Sequence, residues 1–207
     1  WPAFQRALIM QRLRSILASP PAVTPVALED AKRRVRRVED DDNDEIEMLI
    51  AAVVSHLEGA DGIMGRALIT QDWSDTFDSF PRSDRINLRL APVQSIVSIN
   101  YIDANGAEAT LSPSKFTLHS DAFGCFIRLS STAAWPATDH RDDAVTVIYR
   151  AGYGDTPADV PAAIRLAILD LVAHRFNNRA AVLVGVGAVE LPRSVAADLA
   201  PYKRPHF

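Results

Sequence analysis

Residues 159–178 read DVPAAIRLAILDLVAHRFNN, the longest segment of the chain that is apolar around most of a helical circumference. At about 100° per residue, Ile164, Ala167, Ile168, Leu171 and Val172 form one stripe, and Leu166, Leu169, Ala173 and Phe176 form a second on the opposite flank. A helix with two apolar flanks needs two partners. Asp159 suits the N-cap, Pro161 is tolerated in a first turn whose N–H groups have no intrahelical acceptor, and Asn177-Asn178 suits a left-handed stop. One flank is expected against another helix, the other against a sheet or a neighbouring subunit.

The natural helical partner lies far upstream. Residues 44–64 carry Ile46, Leu49, Ile50, Val53, Leu57, Ala60 and Met64 on one face, follow an acidic run at 39–44 that complements a helix N-terminus, and close at Gly62 and Gly65. That acidic run lacks the alternating ligands and central Gly of a calcium loop. Between the two helices, residues 68–150 change period. Segments at 68–77, 86–90, 93–102, 107–111, 116–118, 125–129 and 144–150 read as about six or seven short strands, with Asp103-Ala104-Asn105-Gly106 as a hairpin turn. Strands without intervening helices exclude a doubly wound sheet. The fold class is α+β: a small helical bundle with an inserted antiparallel β module and an extended C-terminal segment.

Outside this frame, Thr24-Pro25 reads as the cap and first turn of a helix over 25–38, with Leu28, Ala31, Val35 and Val38 on one side and Lys32, Arg33, Arg34, Arg36 and Arg37 over the rest. That basic face suits phosphate contact, or a solvated surface in which Glu29 and Asp30 offset the Arg residues one turn on. Phe4, Leu8, Leu13, Ile16 and Leu17 give residues 3–18 a helical pattern ended by Ser19-Pro20-Pro21, so residues 1–22 read as an appended amphipathic arm of surface or presequence type. At the other end, AAVLVGVGAVEL over 180–191 is apolar without helical period, and Gly185 and Gly187 keep it flexible. Residues 192–199 suit a short helix, and the last residues form a cationic and aromatic tail. The organisation expected is an arm at 1–22, one domain over 23–202 and a tail at 203–207.

With 48% hydrophobic residues, 23% charged and a formal net charge of -4 over 207 residues, the chain can build a sizeable core and is unsuited to coating nucleic acid. A single cysteine, Cys125, excludes a disulfide framework and points to a reducing compartment. No apolar run reaches the roughly 18 residues of a membrane span. The five histidines, His56, His119, His140, His174 and His206, are scattered, and none has a second His or a carboxylate at metal-ligand spacing. His119-Ser120-Asp121 and His140-Arg141-Asp142-Asp143 sit in loops and read as solvated polar turns; a metal-dependent hydrolase using His140, Asp142 and Asp143 is the enzymatic alternative. Ser130-Ser131 lacks nucleophile-elbow glycines, and the Gly185 and Gly152 pairs lack the context of a dinucleotide loop. No catalytic residue, metal or cofactor is expected.

Five phrases, in order, carry a resemblance: TPVALEDAKRRVRRV (24–38), DDNDEIEMLIAAVVSHLE (41–58), GRALITQDW (65–73), LAPVQSIVSINYIDANG (90–106) and YRAGYGDTPADVPAAIRLAILDLVAHRFNNRAAV (149–182). Together they resemble the head-tail connector (adaptor) proteins of tailed phages, prophages and gene transfer agents over residues 24–202. The resemblance implies a structural, non-enzymatic subunit located in the neck of a virion or phage-like particle and assembled in the bacterial cytoplasm. In that family, copies form a ring, expected to be twelvefold, between the capsid portal and the stopper and tail proteins, and DNA passes through without sequence-specific binding. The partners implied are the portal protein, stopper and tail proteins, other copies of this chain and DNA in transit, with no membrane. Val182, Leu183, Val184, Val186, Val189, Leu191, Tyr202, Lys203, Arg204 and Phe207 are the expected portal or subunit interface, since an apolar glycine-containing segment seeks a partner. Deletion of 182–207 is then expected to leave a folded monomer. Arg33, Arg36 and Arg37 are candidate channel contacts to DNA; the alternative function is a nucleic-acid-binding module built on the basic helix 28–38.

Overall fold

A computed structural model describes residues 10–36, 42–178 and 192–204. The chain divides into two compact units, Trp1–Pro20 with Gln71–Gly152, and Pro21–Thr70 with Tyr153–Phe207.

The second unit is helical. Its described helices are α1 (Leu28–Val35), α2 (Asn43–Leu57), α3 (Ala162–Asn177) and α4 (Arg193–Leu199). Helix α3 is central and packs against α1, α2 and α4. All five residues of its first stripe are buried; on the second, Phe176 is buried, Leu169 and Ala173 are half-buried, and Leu166 is exposed. The two partners that its apolar flanks demanded are therefore supplied by three helices. Ile46, Ile50, Val53 and Leu57 of α2 enter the same core as Ile164, Ile168 and Leu171, so the pairing of 44–64 with 160–178 holds. Burial of each such aliphatic side chain stabilises by about 1.5–3 kcal/mol.

Three boundaries differ from expectation for local reasons. Thr24 does not cap α1: its hydroxyl bonds the Val26 carbonyl at 2.7 Å, and the helix starts three residues later than Pro25. Asp159 does not cap α3 either. Its carboxylate closes a capping box with Thr156 around the short turn Pro157–Asp159, and α3 begins after Pro161. Helix α2 ends at Leu57, because its last carbonyls are taken by the following loop: Ile63 N–H donates to the His56 carbonyl and Met64 N–H to that of Leu57, each at 3.1 Å. In that loop Gly62 lies so close to the backbone of Glu58 that a Cβ would come within 2.0 Å of its carbonyl oxygen. Met64 still reaches the core.

The first unit holds, among its described residues, eight antiparallel strands: β1 (Arg12–Ser19), β2 (Gln71–Phe77), β3 (Arg85–Asn87), β4 (Val93–Ile102), β5 (Glu108–Thr110), β6 (Phe116–Asp121), β7 (Gly124–Leu129) and β8 (Val145–Ala151). They form a five-stranded sheet in the order β1-β2-β8-β4-β5 and a three-stranded sheet in the order β3-β7-β6. The seven strand segments expected within 68–150 are all present as β2 to β8. The predicted hairpin turn is built as expected: Gly106 has φ +82°, and the Asp103 carboxylate accepts the N–H groups of Asn105 and Ala107 at 2.8 and 2.9 Å. Those bonds hold the Asp103 carboxyl below the usual carboxylate range.

The main correction concerns the N-terminus. Residues 12–19, expected as part of a helical arm, are strand β1, paired with β2 from Arg12↔Phe77 to Ser19↔Asp72. At the C-terminus, the short helix expected over 192–199 is present as α4. Helix α4 and the turn Ala200–Tyr202 fold onto the helical core through Val195 and Leu199, at 1% and 0% exposure. The expected extended segment at 180–191 lies wholly outside the described residues.

Candidate functional site

Each sequence-predicted group has a definite place where the structure describes it. On α1, Arg33 pairs with Asp30 one turn earlier, and Arg34 reaches across to Asp170 of α3, its Nε donating at 2.6 Å. Lys32 is 5% exposed, with Glu29 4.0 Å from its ammonium. Arg36 is the left-handed C-cap of the helix, at φ 60°, and is exposed. Thus three of the cations counted as one basic face face carboxylates within the same unit. Arg37 lies outside the described residues.

Of the predicted interface, Tyr202, Lys203 and Arg204 are described; Val182, Leu183, Val184, Val186, Val189, Leu191 and Phe207 are not. Tyr202 packs partly against the helical core, and its carbonyl accepts the Nε–H of Arg66. The Arg204 N–H donates to the Met64 carbonyl at 3.1 Å, while the Lys203 side chain is exposed. Tyr153 stands beside them; burial pushes its phenol up, partly offset by the Arg66 guanidinium.

His119-Ser120-Asp121, expected in a loop, is the end of strand β6 paired with β7, and both this cluster and His140-Arg141-Asp142-Asp143 are tied into hydrogen bonds and ion pairs. Arg141 holds the Asp143 carboxylate with two donors, Nη2 at 2.9 Å from Oδ2, and that hydrogen bonding keeps the Asp143 carboxyl low. Asp121 accepts the Phe123 N–H at 2.8 Å and pairs with Arg85 at 2.9 Å. His119 is hydrogen-bonded to the Thr117 hydroxyl at 2.7 Å and stacks on Phe126; His174 contacts the Asn178 amide. Cys125 is buried, with its thiol 3.9 Å from the Ser120 hydroxyl. His206 lies outside the described residues. Among the described residues no group of three or more His, Cys, Asp or Glu is placed to hold a metal ion, and no helix is long and apolar enough to cross a membrane.

Sequence reasoning missed one polar cluster. Asp75, in the middle of β2, is 0% exposed. Its carboxylate meets Arg12 Nε of β1 at 3.4 Å, the Arg89 N–H at 3.1 Å and the Tyr149 hydroxyl of β8 at 3.3 Å. Arg12 in turn lies over the Phe77 ring and donates to the Asn87 carbonyl of β3, so it joins both sheets. Burial raises the Asp75 carboxyl, and the Arg12 charge only partly lowers it. Burial likewise pushes the Tyr149 phenol well above its ordinary range. The sole sequence signal was an acid inside an alternating strand, on the parity of Trp73 and Phe77.

This is an α+β protein in which the ion pairs and hydrogen bonds described above tie the named carboxylates to neighbouring strands, turns and helices. No protein-family model matches the chain. No curated protein matches it. Solved structures do match. A chain from the neck of an empty GTA particle computed with C6 symmetry aligns with a TM-score of 0.75 at 16% identity, over 94% of this chain and 97% of that one. A chain from the virion of a native gene transfer agent (GTA) particle aligns with a TM-score of 0.72 at 18% identity, over 94% and 97%. A third, from the neck of a native GTA particle computed with C12 symmetry, gives 0.64 at 21% identity over 93% and 97%. At these identities the likeness establishes a shared fold, and it extends through both units.

Proposed function

We propose that this chain is a structural subunit of the neck of a phage-like or gene transfer agent particle, a connector that assembles as a ring between the portal and the stopper and tail proteins. The observation that carries the reading is the end-to-end match of both units to chains of GTA particles, necks among them. The absence of an organised reactive centre among the described residues is compatible with it, and the order of the five sequence phrases points the same way. In this reading DNA passes through the ring without sequence-specific contact. The ion pairs of Arg33 and Arg34 favour that over a nucleic-acid-binding module, because cations already facing carboxylates release few counterions on meeting phosphate. Val182, Leu183, Val184, Val186, Val189 and Leu191 remain the proposed contact with portal or neighbour. Replacing Val182, Leu183, Val184 and Val186 together with Ser tests that part: binding to portal-bearing heads should fall while the melting temperature holds. Unchanged binding would place the docking surface elsewhere.

A further inference from the structure

The five-stranded sheet has two open edges, and they differ in character. At one end is β1, eight residues long, whose only strand partner among the described residues is β2. At the other end β5 covers β4 only over Asn100–Ile102, extended by the Leu111 N–H bond to the Ile99 carbonyl, so among the described residues the outer side of 93–98 carries no strand. Both edges expose apolar side chains: Leu13, Ile16 and Leu17 at 42–44% on β1, and Val97 at 53% on β4. These are four of the five large hydrophobic residues that the β unit leaves exposed among its described residues. Their charges are opposite. Residues 10–20 carry Arg12 and Arg14 with no acid, whereas residues 93–111 carry Asp103 and Glu108 with no base.

We infer that the β1 edge of one copy packs against the β4–β5 edge of the next copy, so that successive sheets are joined head to tail around the ring. The inference rests on the ring reading above and names the surfaces that build it. Two different, mutually complementary patches on one molecule are what a heterologous contact requires, and such contacts close into rings when the rotation between copies permits. A single self-complementary patch would stop at a dimer. The contact is made by side chains rather than by a continuous hydrogen-bonded ladder. The β1 register shifts between Arg12 and Arg14 and between Leu17 and Ser19; that of β4 shifts between Val93 and Ser95 and between Ile96 and Ser98. Bulges of this kind guard an edge against indiscriminate strand pairing and turn the extra residues, here Leu13 and Val97 among them, away from the ladder. Each edge thus exposes apolar side chains, Leu13, Ile16 and Leu17 on one and Val97 on the other, with exposed Arg14 on β1, where Arg12 is turned to Asp75, and exposed Glu108 on β5; a second copy supplies the matching surface.

The test uses the full chain with Cys125→Ala as the background. Under conditions where native mass spectrometry detects oligomers, Ile16→Cys combined with Val97→Cys and treated with a short bis-maleimide should give a ladder of covalent dimers, trimers and larger species. Either cysteine alone should give none. Ile16→Lys and Val97→Glu should each lower the assembled fraction severalfold without moving the melting temperature, and combining them should restore it. Cross-linking of Ile16→Cys alone into dimers that grow no further would replace the head-to-tail contact by a β1–β1 pair. Oligomers that show no ladder, and that survive both charge variants, would overturn this interface while leaving the ring intact. A parent chain that forms no oligomer and no ladder, alone or with portal, removes the ring and this contact together.

Discussion

Asp75 shows what one residue contributes to the β unit. A carboxylate with no exposed surface is costly unless paired, and Arg12 is the charge that faces it. Because the folded-state pKa of Asp75 lies above its unfolded value, the stability linked to its proton is full at acid pH and is lost as pH rises through the folded pKa. At neutral pH the ionised group is tolerated through Arg12, Arg89 N–H and Tyr149. Arg12→Ala should therefore destabilise most at neutral pH, by about 3 kcal/mol, the low end for breaking a buried pair because the Arg12 side chain is 27% exposed. Its deficit should shrink in acid, where Asp75 takes up its proton in parent and variant alike. Urea denaturation at neutral and acid pH measures this, and an equal deficit at both would show that Arg12 acts by packing alone. Asp103, Asp121, Asp143 and Asp159 run the opposite way: their lowered values mean stability present above the unfolded pKa and lost as pH falls through the folded one. Gly62 is a second residue with no substitute. Gly62→Ala would drive a methyl into the Glu58 backbone, and a loss of roughly 1–3 kcal/mol in thermal denaturation is expected from such overpacking.

Among the elements, the body of α3 was legible because its apolar residues recur at helical spacing on two flanks, and packing obeyed that pattern except at exposed Leu166; its ends were not, since Asp159 closes a separate turn and Asn178 ends the helix at φ -114° rather than left-handed. Strands β2 to β8 were legible from alternation and turn residues. Strand β1 was not, for a physical reason. An edge strand leaves most side chains in solvent, and its bulges interrupt the period of two, so Leu13, Ile16 and Leu17 fall at spacings that imitate a helix continuing from Phe4 and Leu8. The pin that fixes it, Arg12 on Asp75, is a contact between residues 63 apart in sequence, which no local pattern reveals. Cap positions failed in the same way: Thr24 and Asp159 have capping side chains but spend them on nearby turns. Leu57→Ala and Leu171→Ala should each destabilise by about 2–5 kcal/mol, read from the urea midpoint, if α2 and α3 share one core; unchanged midpoints would separate the helices. The expectation that residues 182–207 can be deleted from a folded chain is revised by α4. Removing residues 192–207 strips Val195 and Leu199 from the core, a loss of roughly 3–6 kcal/mol at 1.5–3 for each side chain, so the truncated protein should melt lower or fail to fold.

For the whole molecule, the proposed conduit must let DNA pass without holding it. With Arg33 and Arg34 engaged by Asp30 and Asp170, affinity for a short duplex at physiological salt should stay in the ordinary non-specific range, roughly 10⁻⁴ to 10⁻⁶ M. A sub-micromolar complex abolished by Arg33→Ala with Arg36→Ala would favour the nucleic-acid-binding reading instead. The proposed function was legible only from the order of several weak phrases, since a connector would concentrate its function in surfaces that meet partners. The most direct measurement is cryo-electron microscopy of the purified protein, alone and mixed with portal-bearing heads, with native mass spectrometry to count copies. The account predicts closed rings, twelve copies in each, seated on the portal; a chain that stays monomeric in both samples and leaves the portal bare would contradict it.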